Sequence, residues 1–462
     1  MLIPRWFVVS FVFGILPNLA PVFAGAASRP NIVLIFVDDL GYGELGCQGN
    51  PQIPTPNIDS IAKNGVRFTA GYVSAPYCCP SRAGLLTGRY QTRFGHELNA
   101  VGKQNLLPDV GLPLGEHTIA DYLKKAGYVT GIIGKWHLGA TEKYHPLKRG
   151  FDEFFGFTHE GHFYVPPPYQ GVVSHLRSRE PKYDEDNPIR RNQKTVQEPH
   201  YLTHALTREA VAFIDRHRRK PFFLYLAYNA VHSPMQAALD DVKKFEHIKD
   251  EHRRVFAGML AALDDGVGKV LRKLRACSLE EKTLIFFISD NGGPTAELTS
   301  SNRPLRGGKG QLWEGGIRIP FLVQWKGQIP AGKVYSKPVI SLDVLPTALA
   351  AAGVGLPKDR IIDGVDLLPY LTGKTNQLPH DTLFWRYGHN MAVRQGDWKL
   401  VRQNERGGRP KAQFQLYNLA KDISETEDLA STEPVIRRRL LEVLDRFNAQ
   451  MVEPRWGRRS NK

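Results

Sequence analysis

Three short apolar runs limit the folds open to this chain more than any other feature of its sequence. They span residues 31–37, 222–228 and 283–289, and each is rich in β-branched or aromatic side chains. Runs of this length without a polar face are typical of strands that are buried on both sides. Such strands belong to parallel or mixed sheets that helices cover on both faces.

Segments with helical character lie between these runs and complete an α/β pattern. Thr55 and Pro56 open one helix, with Thr55 as its cap, and Gly65 ends it. The other elements predicted in this part are helices at 117–125 and 253–275 and a strand at 128–133. Because strands alternate with helices, we expect a layered α/β domain.

The pattern changes after about residue 375, where short strands replace the longer elements. Strands are predicted at 383–386, 391–394, 398–402 and 414–417, followed by an amphipathic helix at 433–450. These elements predict a small antiparallel sheet with one packed helix. Since 462 residues exceed one simple core, we assign a large domain to residues 27–375 and a C-terminal subdomain to residues 376–462.

The first 26 residues have the three parts of a secretory signal peptide. Arg5 supplies a positive start, an apolar run follows at 6–16, and small residues at 24–26 offer a cleavage site. The apolar run is too short to span a bilayer, and Pro17 breaks it. We therefore predict a secreted or periplasmic protein with no stable membrane span.

A formal net charge of +15 limits the range of partners. One explanation is solubility, with local clusters such as the arginines at 437–439 on a solvated helix face. Another is a polyanionic substrate that a positive field attracts. Nucleic acid is disfavoured as a partner, because the basic residues are scattered and no nucleic-acid-binding motif accompanies them.

Four cysteines are too few for the disulfide scaffold of a small secreted domain. For Cys47, Cys79 and Cys277 we expect small buried side chains. The fourth, Cys78, begins the pattern C-x-P-S-R-x-x-x-L-T-G-R over residues 78–89.

Acidic and amide side chains follow two of the predicted strands. Asp38 and Asp39 come after the first run, and Asp290 and Asn291 come after the last. Ligands in open α/β sheets bind outside the carboxyl ends of the strands, so these side chains can surround one point. Oxygen ligands without histidine or cysteine suit a hard divalent cation. The alternative is ordinary turn chemistry after a strand, which two such pairs beside the cysteine motif disfavour.

Residues 41–46 read G-x-G-x-x-G after a strand, which is the fingerprint of a dinucleotide site. The helix that such a site requires does not follow, because residues 47–51 break it. The carboxylates of Asp38 and Asp39 would also repel a pyrophosphate. We therefore do not predict a dinucleotide-binding domain.

Basic side chains also follow predicted strands. Lys135 and His137 lie in the segment 134–139, His232 follows the run at 222–228, and Lys309 lies in a glycine-rich loop. Ammonium groups can neutralise the oxygens of a transferred oxyanion, and an imidazolium can protonate a leaving oxygen. Together with a metal, these residues indicate a site for oxyanion transfer.

With these segments in this order, the chain resembles the formylglycine-dependent (type I) sulfatases of the alkaline phosphatase superfamily. The resemblance runs from about residue 29 to residue 429, and Glu44 stands where relatives often have aspartate. The segments that carry it are 38–43, 78–89, 134–139, His232, 290–293 and 314–316, with weaker similarity at 149–152 and 396–400. It implies a mixed, mostly parallel central sheet flanked by helices, of the alkaline-phosphatase type.

The resemblance also implies a modified nucleophile and a metal. A maturing enzyme would read Pro80, Ser81 and Arg82 in the unfolded chain and convert Cys78 to formylglycine, whose hydrate attacks the sulfate ester. In the fold, the segment from Pro80 would start a helix whose N-terminus favours the nearby anion. The implied ligands of one Ca²⁺ per chain are Asp38, Asp39, Asp290, Asn291 and an oxygen on residue 78.

Further roles follow from the same resemblance. Arg82 would steady the hydrate, and Lys135 and Lys309 would bind the sulfate. His232, with Lys309, would protonate the leaving alcohol, and His137 would take the proton that lets the aldehyde reform and expel sulfate. His162 is a candidate for a further substrate-binding residue, in competition with His159.

The predicted function is therefore hydrolysis of a sulfate ester to an alcohol and sulfate. Net charge and secretion favour a sulfated carbohydrate, and loops 158–200 and 294–306 would decide which one. Two enzymatic alternatives are a broad arylsulfatase and a phosphonate or phosphodiester hydrolase of the same superfamily. A non-enzymatic alternative is an inactive protein that binds sulfated glycans and keeps Cys78 unmodified. The segment 160–198, rich in Gly and Pro, is predicted to be a surface insertion beside the site.

Overall fold

The structure is a computed structural model that describes residues 1–4, 6, 29–404 and 413–457. Most of the predicted signal peptide, including Arg5 and the cleavage site, lies outside the described residues. Among the residues that are described, no helix combines the length and the apolar character needed to cross a membrane.

The described residues contain a large sheet, a small C-terminal sheet and two short strand pairs. The strands are β1 Asn31–Val37, β2 Val66–Phe68, β3 Gly71–Tyr72, β4 Val129–Lys135, β5 Glu153–Phe157, β6 Val172–His175, β7 Arg190–Arg191, β8 Lys194–Thr195, β9 Phe222–Ala227, β10 Met235–Ala238, β11 Thr283–Ser289, β12 Phe321–Gln324, β13 Lys333–Tyr335, β14 Val339–Ile340, β15 Thr382–Tyr387, β16 Asn390–Gln395, β17 Trp398–Arg402 and β18 Gln415–Asn418.

The large sheet is mixed and its centre is parallel, as the resemblance implies. Its strand order is β13-β2-β12-β11-β1-β9-β4-β5-β7-β8. The five central strands from β11 to β5 all pair in parallel, and β12, β7 and β8 add antiparallel pairs. Parallel neighbours end at the same edge of the sheet, so the segments after β1, β4, β9 and β11 lie together.

Helices cover both faces of this sheet. They are α1 Pro56–Lys63, α2 Cys78–Thr87, α3 Ile119–Lys125, α4 Leu202–His217, α5 Leu239–Lys243, α6 Glu251–Ala276, α7 Thr295–Leu298, α8 Glu314–Ile317, α9 Val344–Ala351, α10 Leu368–Leu371 and α11 Pro434–Asn448. Alternate residues of β1 belong to two hydrophobic cores: Leu34 packs in the core that includes α2, α3 and α9, and Val33 in the core that includes α1, α4 and α6. Burial on both faces explains the unbroken apolar pattern of the central strands.

Capping side chains shift several boundaries from their predicted positions. The helix expected at 117–125 begins at Ile119, because Thr118 caps it through reciprocal hydrogen bonds with Asp121. The helix expected at 253–275 starts at Glu251, because the side chain of Asp250 accepts from backbone N–H groups of its first turn. Thr55 occupies the N-cap position of α1, but its hydroxyl donates to Asp59 and does not cap the helix as predicted.

The C-terminal elements form the predicted antiparallel sheet, in the order β15-β16-β17-β18, with α11 packed against it. This sheet fixes a loop of the large domain. Gln403 accepts a hydrogen bond from the N–H of Leu312 (2.7 Å), and Ser424 donates to the carbonyl of Pro304 (2.8 Å). The loop that carries Lys309 is therefore held from the C-terminal sheet.

The cysteines depart in part from their expected burial. Cys79 is buried, but Cys47 and Cys277 are only half-buried, so that prediction is wrong for these two residues. Cys47 lies in a short 3₁₀ turn and Cys277 follows the last residue of α6, and both positions are near the surface. All four thiols are free, and none pairs in a disulfide within the described residues.

The insertion at 160–198 is not only loop. Its strand β6 pairs with β10, and β7 and β8 extend the edge of the large sheet. Strand pairing therefore anchors this segment above the carboxyl edge of the sheet.

Candidate active site

The acidic side chains predicted to converge do so, because β1 and β11 pair in parallel up to their last residues, Val37 and Ser289. The backbone N–H of Asp39 donates to Oδ1 of Asp290 (3.1 Å). Nδ2 of Asn291 donates to Oδ1 of Asp39 (2.7 Å). These residues and Asp38 are fully buried. The result is an oxygen-rich cluster at one edge of the sheet.

Cys78 joins this cluster as the first residue of α2. Its Sγ lies 3.4 Å from Oδ1 of Asp38. One side-chain ligand atom from each of Asp38, Asp39, Cys78 and Asp290 lies within 4.8 Å of the others. Because α2 begins at residue 78 and not at Pro80 as predicted, residue 78 stands in the first turn of the helix, where the helix dipole favours negative charge.

Three basic side chains neutralise the three carboxylates. Arg82 contacts Asp290 (Nη2–Oδ2, 2.8 Å), Lys135 contacts Asp38 (Nζ–Oδ2, 2.5 Å) and Lys309 contacts Asp39 (Nζ–Oδ2, 2.8 Å). Arg82 also donates from Nη1 to the carbonyl of Lys135 (3.1 Å). Pairing of this kind is what allows charged groups to be buried.

The electrostatics of the cluster make an unmodified thiol a poor nucleophile. Burial, followed by repulsion from Asp290 and Asp38, raises the pKa of Cys78 well above its usual value. Burial and the charge of Asp38 also raise the pKa of Asp290 to about 6. Burial opposes ionisation of Asp39, but Lys309 and His232 outweigh it and lower the pKa of Asp39 to about 2. Since the thiolate is the reactive form of cysteine, this environment disfavours the reactive form of Cys78.

Two histidines flank the cluster in neutral form. Burial and the charge of Lys309 lower the pKa of His232 to about 3, and burial and the charge of Lys135 hold the pKa of His137 well below its usual value. His232 Nε2 lies 3.7 Å from Oδ2 of Asp39. His137 Nε2 lies 2.7 Å from the carbonyl oxygen of Ala100, and its buried Nδ1 has no partner among the described residues. Because Nε2 of His137 must donate to that carbonyl, Nδ1 is free to accept a proton.

The backbone positions His232 beside the carboxylates. The N–H of Asp38 donates to the carbonyl of Ala230 (3.0 Å), and the N–H of Val231 donates to the carbonyl of Asp38 (2.8 Å). The segment after β9 is thereby tied to the segment after β1, which brings the imidazole to Asp39.

His162 lies outside this set of contacts. Its Nδ1 is 3.1 Å from Asp184 and 2.8 Å from the carbonyl oxygen of Phe163, and no described contact joins it to the carboxylate cluster. His159 is buried, its Nε2 has no partner within the described chain, and its charge contributes to the lowered pKa of His137. Of the two candidate histidines, His159 is therefore the one that interacts with His137, a residue beside the carboxylate cluster.

The cluster fits a hard divalent cation. Oδ1 of Asn291 is buried and accepts no hydrogen bond from the described residues. A buried oxygen without a partner costs free energy that a cation would recover. The carboxylates beside it supply the hard oxygen ligands that Ca²⁺ prefers. The chemistry of the donors therefore agrees with the predicted metal.

The glycines in the segment 41–46 allow neighbouring backbone segments to pack closely. They lie in and around two 3₁₀ turns, Tyr42–Glu44 and Gly46–Gln48, with no helix directly after them. A Cβ at Gly41 would lie 2.3 Å from the carbonyl oxygen of Ser301, so only glycine permits this approach. The next helix, α1, begins only at Pro56, so the helix that a dinucleotide site requires does not directly follow this segment.

The sequence did not predict the structural role of Glu44 or the pair of tyrosine rings near Cys78. Glu44 is fully buried and accepts from both terminal nitrogens of Arg253 (2.8 and 2.9 Å), so it holds the segment after β1 in place. Tyr77 and Tyr387 pack with ring centroids 4.8 Å apart, and Tyr387 is close enough to Cys78 to interact with it electrostatically. Tyr77 could have been identified from its position directly before Cys78, whereas Tyr387 belongs to the C-terminal sheet.

Comparison with known proteins agrees with this geometry. Residues 30–354 match the family described as Sulfatase, and residues 308–450 match the one described as N-sulphoglucosamine sulphohydrolase, C-terminal. N-acetylgalactosamine-6-sulfatase of Canis lupus familiaris is 39% identical over 394 residues, covering 81% of this chain and 72% of that protein. Steryl-sulfatase of Homo sapiens is 34% identical over 432 residues, covering 78% and 72%. The crystal structure of Ps i-CgsB in complex with k-i-k-neocarrahexaose is 37% identical, with a TM-score of 0.84 and coverage of 94% and 96%.

Proposed function

This chain belongs to the sulfatase family, and we propose that it hydrolyses the sulfate ester of a carbohydrate with Cys78 in its formylglycine form and one bound Ca²⁺. It is a sulfuric ester hydrolase: water and R–O–SO₃⁻ give R–OH and sulfate. Support for a carbohydrate comes from the net charge of +15, from a relative named for a sulfated amino sugar and from a relative crystallised with a carrageenan oligosaccharide.

One observation carries the proposal: the buried Cys78 lies within the same 4.8 Å cluster as three carboxylates, although its thiol is electrostatically suppressed. Burial and the carboxylates disfavour ionisation of a thiol in this position, whereas a neutral aldehyde hydrate is compatible with it. Formylglycine at position 78 would supply a hydroxyl nucleophile. Asp38, Asp39, Asp290 and Asn291 would hold Ca²⁺, which would supply stabilisation of negative charge beside it.

The side chains around the cluster have complementary tasks. Lys135 and Lys309 bind sulfate oxygens and neutralise charge in the transition state. Arg82 joins Asp290 to the first turn of α2 and so positions residue 78. His232 is neutral without substrate, and the bound anionic ester would raise its pKa so that it can, with Lys309, protonate the leaving oxygen. Nδ1 of His137 accepts the proton from residue 78 that accompanies release of sulfate.

Maturation must precede folding. Residues 78–82, including Pro80, Ser81 and Arg82, are all buried in the folded chain, so a converting enzyme can reach them only before the large domain closes. We propose accordingly that a formylglycine-generating or sulfatase-maturing enzyme acts on the unfolded chain, that residues 1–26 direct secretion, and that the catalytic domain ends near residue 375.

The substrate class is tested by a panel of sulfated saccharides and aryl sulfates, offered to enzyme coexpressed with a maturing enzyme. We expect kcat/KM to be higher for at least one sulfated saccharide than for 4-nitrophenyl sulfate. Release of sulfate, measured by ion chromatography, checks the result for every substrate in the same way. Turnover of aryl sulfates alone would refute the carbohydrate preference, and faster release of phosphate from phosphodiesters would favour the alternative hydrolase.

Substitution of His232 separates the two classes of leaving group. In His232→Gln we expect kcat/KM for a saccharide sulfate to fall about 10²- to 10⁴-fold, since an alkoxide needs a proton as it leaves. The fall should be much smaller for 4-nitrophenyl sulfate, because nitrophenolate leaves readily as an anion. The exposed His200, which pairs with Glu198, provides the control His200→Gln with unchanged rates. Equal losses on both substrates would contradict proton donation by His232.

A further inference from the structure

A cavity of about 470 Å³ opens beside Lys309. Its volume lies in the range of about 300–1,000 Å³ that is typical of small-molecule sites. The cavity is lined by Pro294, Thr295, Ala296, Glu297, Gly307, Gly308, Lys309 and Gln311. Because Lys309 also contacts Asp39 of the carboxylate cluster at 2.8 Å, the cavity lies beside the place where the ester would react.

Glu297 is the acidic group of this Lys309 cavity, and it is held in place from two sides. Arg177 of the insertion contacts its Oε1 (2.7 Å), and the hydroxyl of Ser233 donates to the same oxygen (2.8 Å). Ser233 directly follows His232, and its hydroxyl is also 3.0 Å from the hydroxyl of Tyr183. Glu297 thus shares the cavity lining with Lys309 and is bound to the residue next to His232, and these are the two groups assigned to the leaving oxygen.

Both of these contacts reach Oε1, whereas a carboxylate offers acceptor sites on two oxygens. The side chain is 29% exposed and lines the cavity, and no hydrogen bond within the described residues reaches its second oxygen, Oε2. A hydroxyl group can donate to such an oxygen, and a hydrogen bond to a charged acceptor is stronger than one between neutral groups. A second anionic group placed there would instead meet a fixed negative charge.

We propose that the Lys309 cavity binds the sugar residue that carries the sulfate, and that Glu297 accepts a hydrogen bond from one of its hydroxyl groups. This inference rests on the carbohydrate function proposed above. Glu297 then acts as a specificity-determining residue, because it favours a free hydroxyl and disfavours a second sulfate or a carboxylate at that position. Arg177 is a positioning residue, since it acts on the sugar only through Glu297.

The test is Glu297→Gln, which keeps the side-chain volume and removes the charge. For a monosulfated saccharide we expect KM to rise roughly 10-fold with a smaller change in kcat, as for loss of one hydrogen bond to a charged group. The preference for that substrate over a disulfated analogue should fall, and the rate on 4-nitrophenyl sulfate, which has no hydroxyl groups to recognise, should stay the same. Calorimetric binding of the monosulfated saccharide to Cys78→Ala and to Cys78→Ala/Glu297→Gln should give Kd values that differ by a similar factor.

Glu185→Gln is the control. Glu185 lies in the same insertion and contacts Lys103 at 3.7 Å, but no described contact joins it to Arg177 and it does not line the cavity. We expect the KM of this variant to equal that of the wild type. Arg177→Met should raise KM, as Glu297→Gln does. Unchanged KM and Kd in Glu297→Gln, with saccharide turnover intact, would overturn this subsite and leave the carbohydrate function standing. If the wild-type enzyme hydrolyses aryl sulfates but no saccharide sulfate, both the subsite and the carbohydrate function are overturned. Assays of the wild-type enzyme on the panel of sulfated substrates are enough to identify this outcome.

Discussion

Replacing Cys78 with alanine is expected to abolish sulfate ester hydrolysis, with kcat/KM falling at least about 10⁴-fold, as when other enzymes lose their nucleophile. The side chain at position 78 stands 3.4 Å from Asp38 in the fully buried cluster, and the other members of this group of four described residues are carboxylates, with no second thiol or hydroxyl. Sulfate release from a saccharide sulfate and from 4-nitrophenyl sulfate, measured on matured protein, checks the result. The melting temperature should change little, because the thiol fills only a small volume.

Cys79→Ala is the control, since Cys79 is the next residue of the same helix. Its Sγ faces His96 (2.9 Å) and not the carboxylates, so this variant should keep most of the activity. The mass of the peptide that carries residue 78 supplies an independent measurement: conversion of thiol to aldehyde removes about 18 Da, whereas ordinary thiol oxidation adds mass. Activity that survives in Cys78→Ala, or full activity with an unconverted thiol, would contradict the assignment of the nucleophile.

The convergence of the carboxylates was predictable from sequence because it depends only on the position of two strands. A run that is apolar on both faces must lie inside the sheet, and acids after two such runs share the carboxyl edge. In the structure β1 and β11 are neighbours in register, so Asp38 and Asp290 follow adjacent strand ends. The same argument places Lys135 at the end of β4 and His232 after β9.

The side chains that surround the cluster could not be predicted from the sequence. Their positions depend on contacts between segments that are distant in the sequence. Glu297 is held by Arg177 and Ser233, which come from two different loops. The sequence likewise could not rank His159 against His162, because the partners of the two side chains depend on how the segment after β5 folds. The sequence predicts Lys309 as a site residue because it is a lysine in a glycine-rich loop. Nothing in the sequence near Lys309 indicates that contacts from the C-terminal part hold this loop.

Removal of one carboxylate from the cluster is the second change with a large expected effect. In Asp290→Asn we expect kcat/KM to fall about 10²- to 10³-fold, the loss that follows when one fixed electrostatic contact to a transition state is removed. The amide keeps the volume of the side chain and can still accept from the N–H of Asp39, but it lacks the charge that pairs with Arg82. Assays with added Ca²⁺ and after treatment with a chelator measure this loss.

The response of stability to Ca²⁺ distinguishes a ligand from a merely structural carboxylate. An ion that binds only the folded state stabilises it by about 2.7 kcal/mol at a concentration roughly 100 times its Kd, so the wild-type protein should melt at a higher temperature with Ca²⁺ than with chelator. Asp290→Asn should lose most of this difference. Asp264→Asn is the control: Asp264 is also a buried carboxylate, but it accepts hydrogen bonds from Asn57 and Ile58, away from the cluster. The melting temperature of that variant should be lower than that of the wild type both with Ca²⁺ and with chelator. The difference between the two buffers should stay as large as in the wild type, because its cation ligands are intact. An equal response in both variants would mean that Asp290 orders the site through Arg82 alone and does not hold the ion.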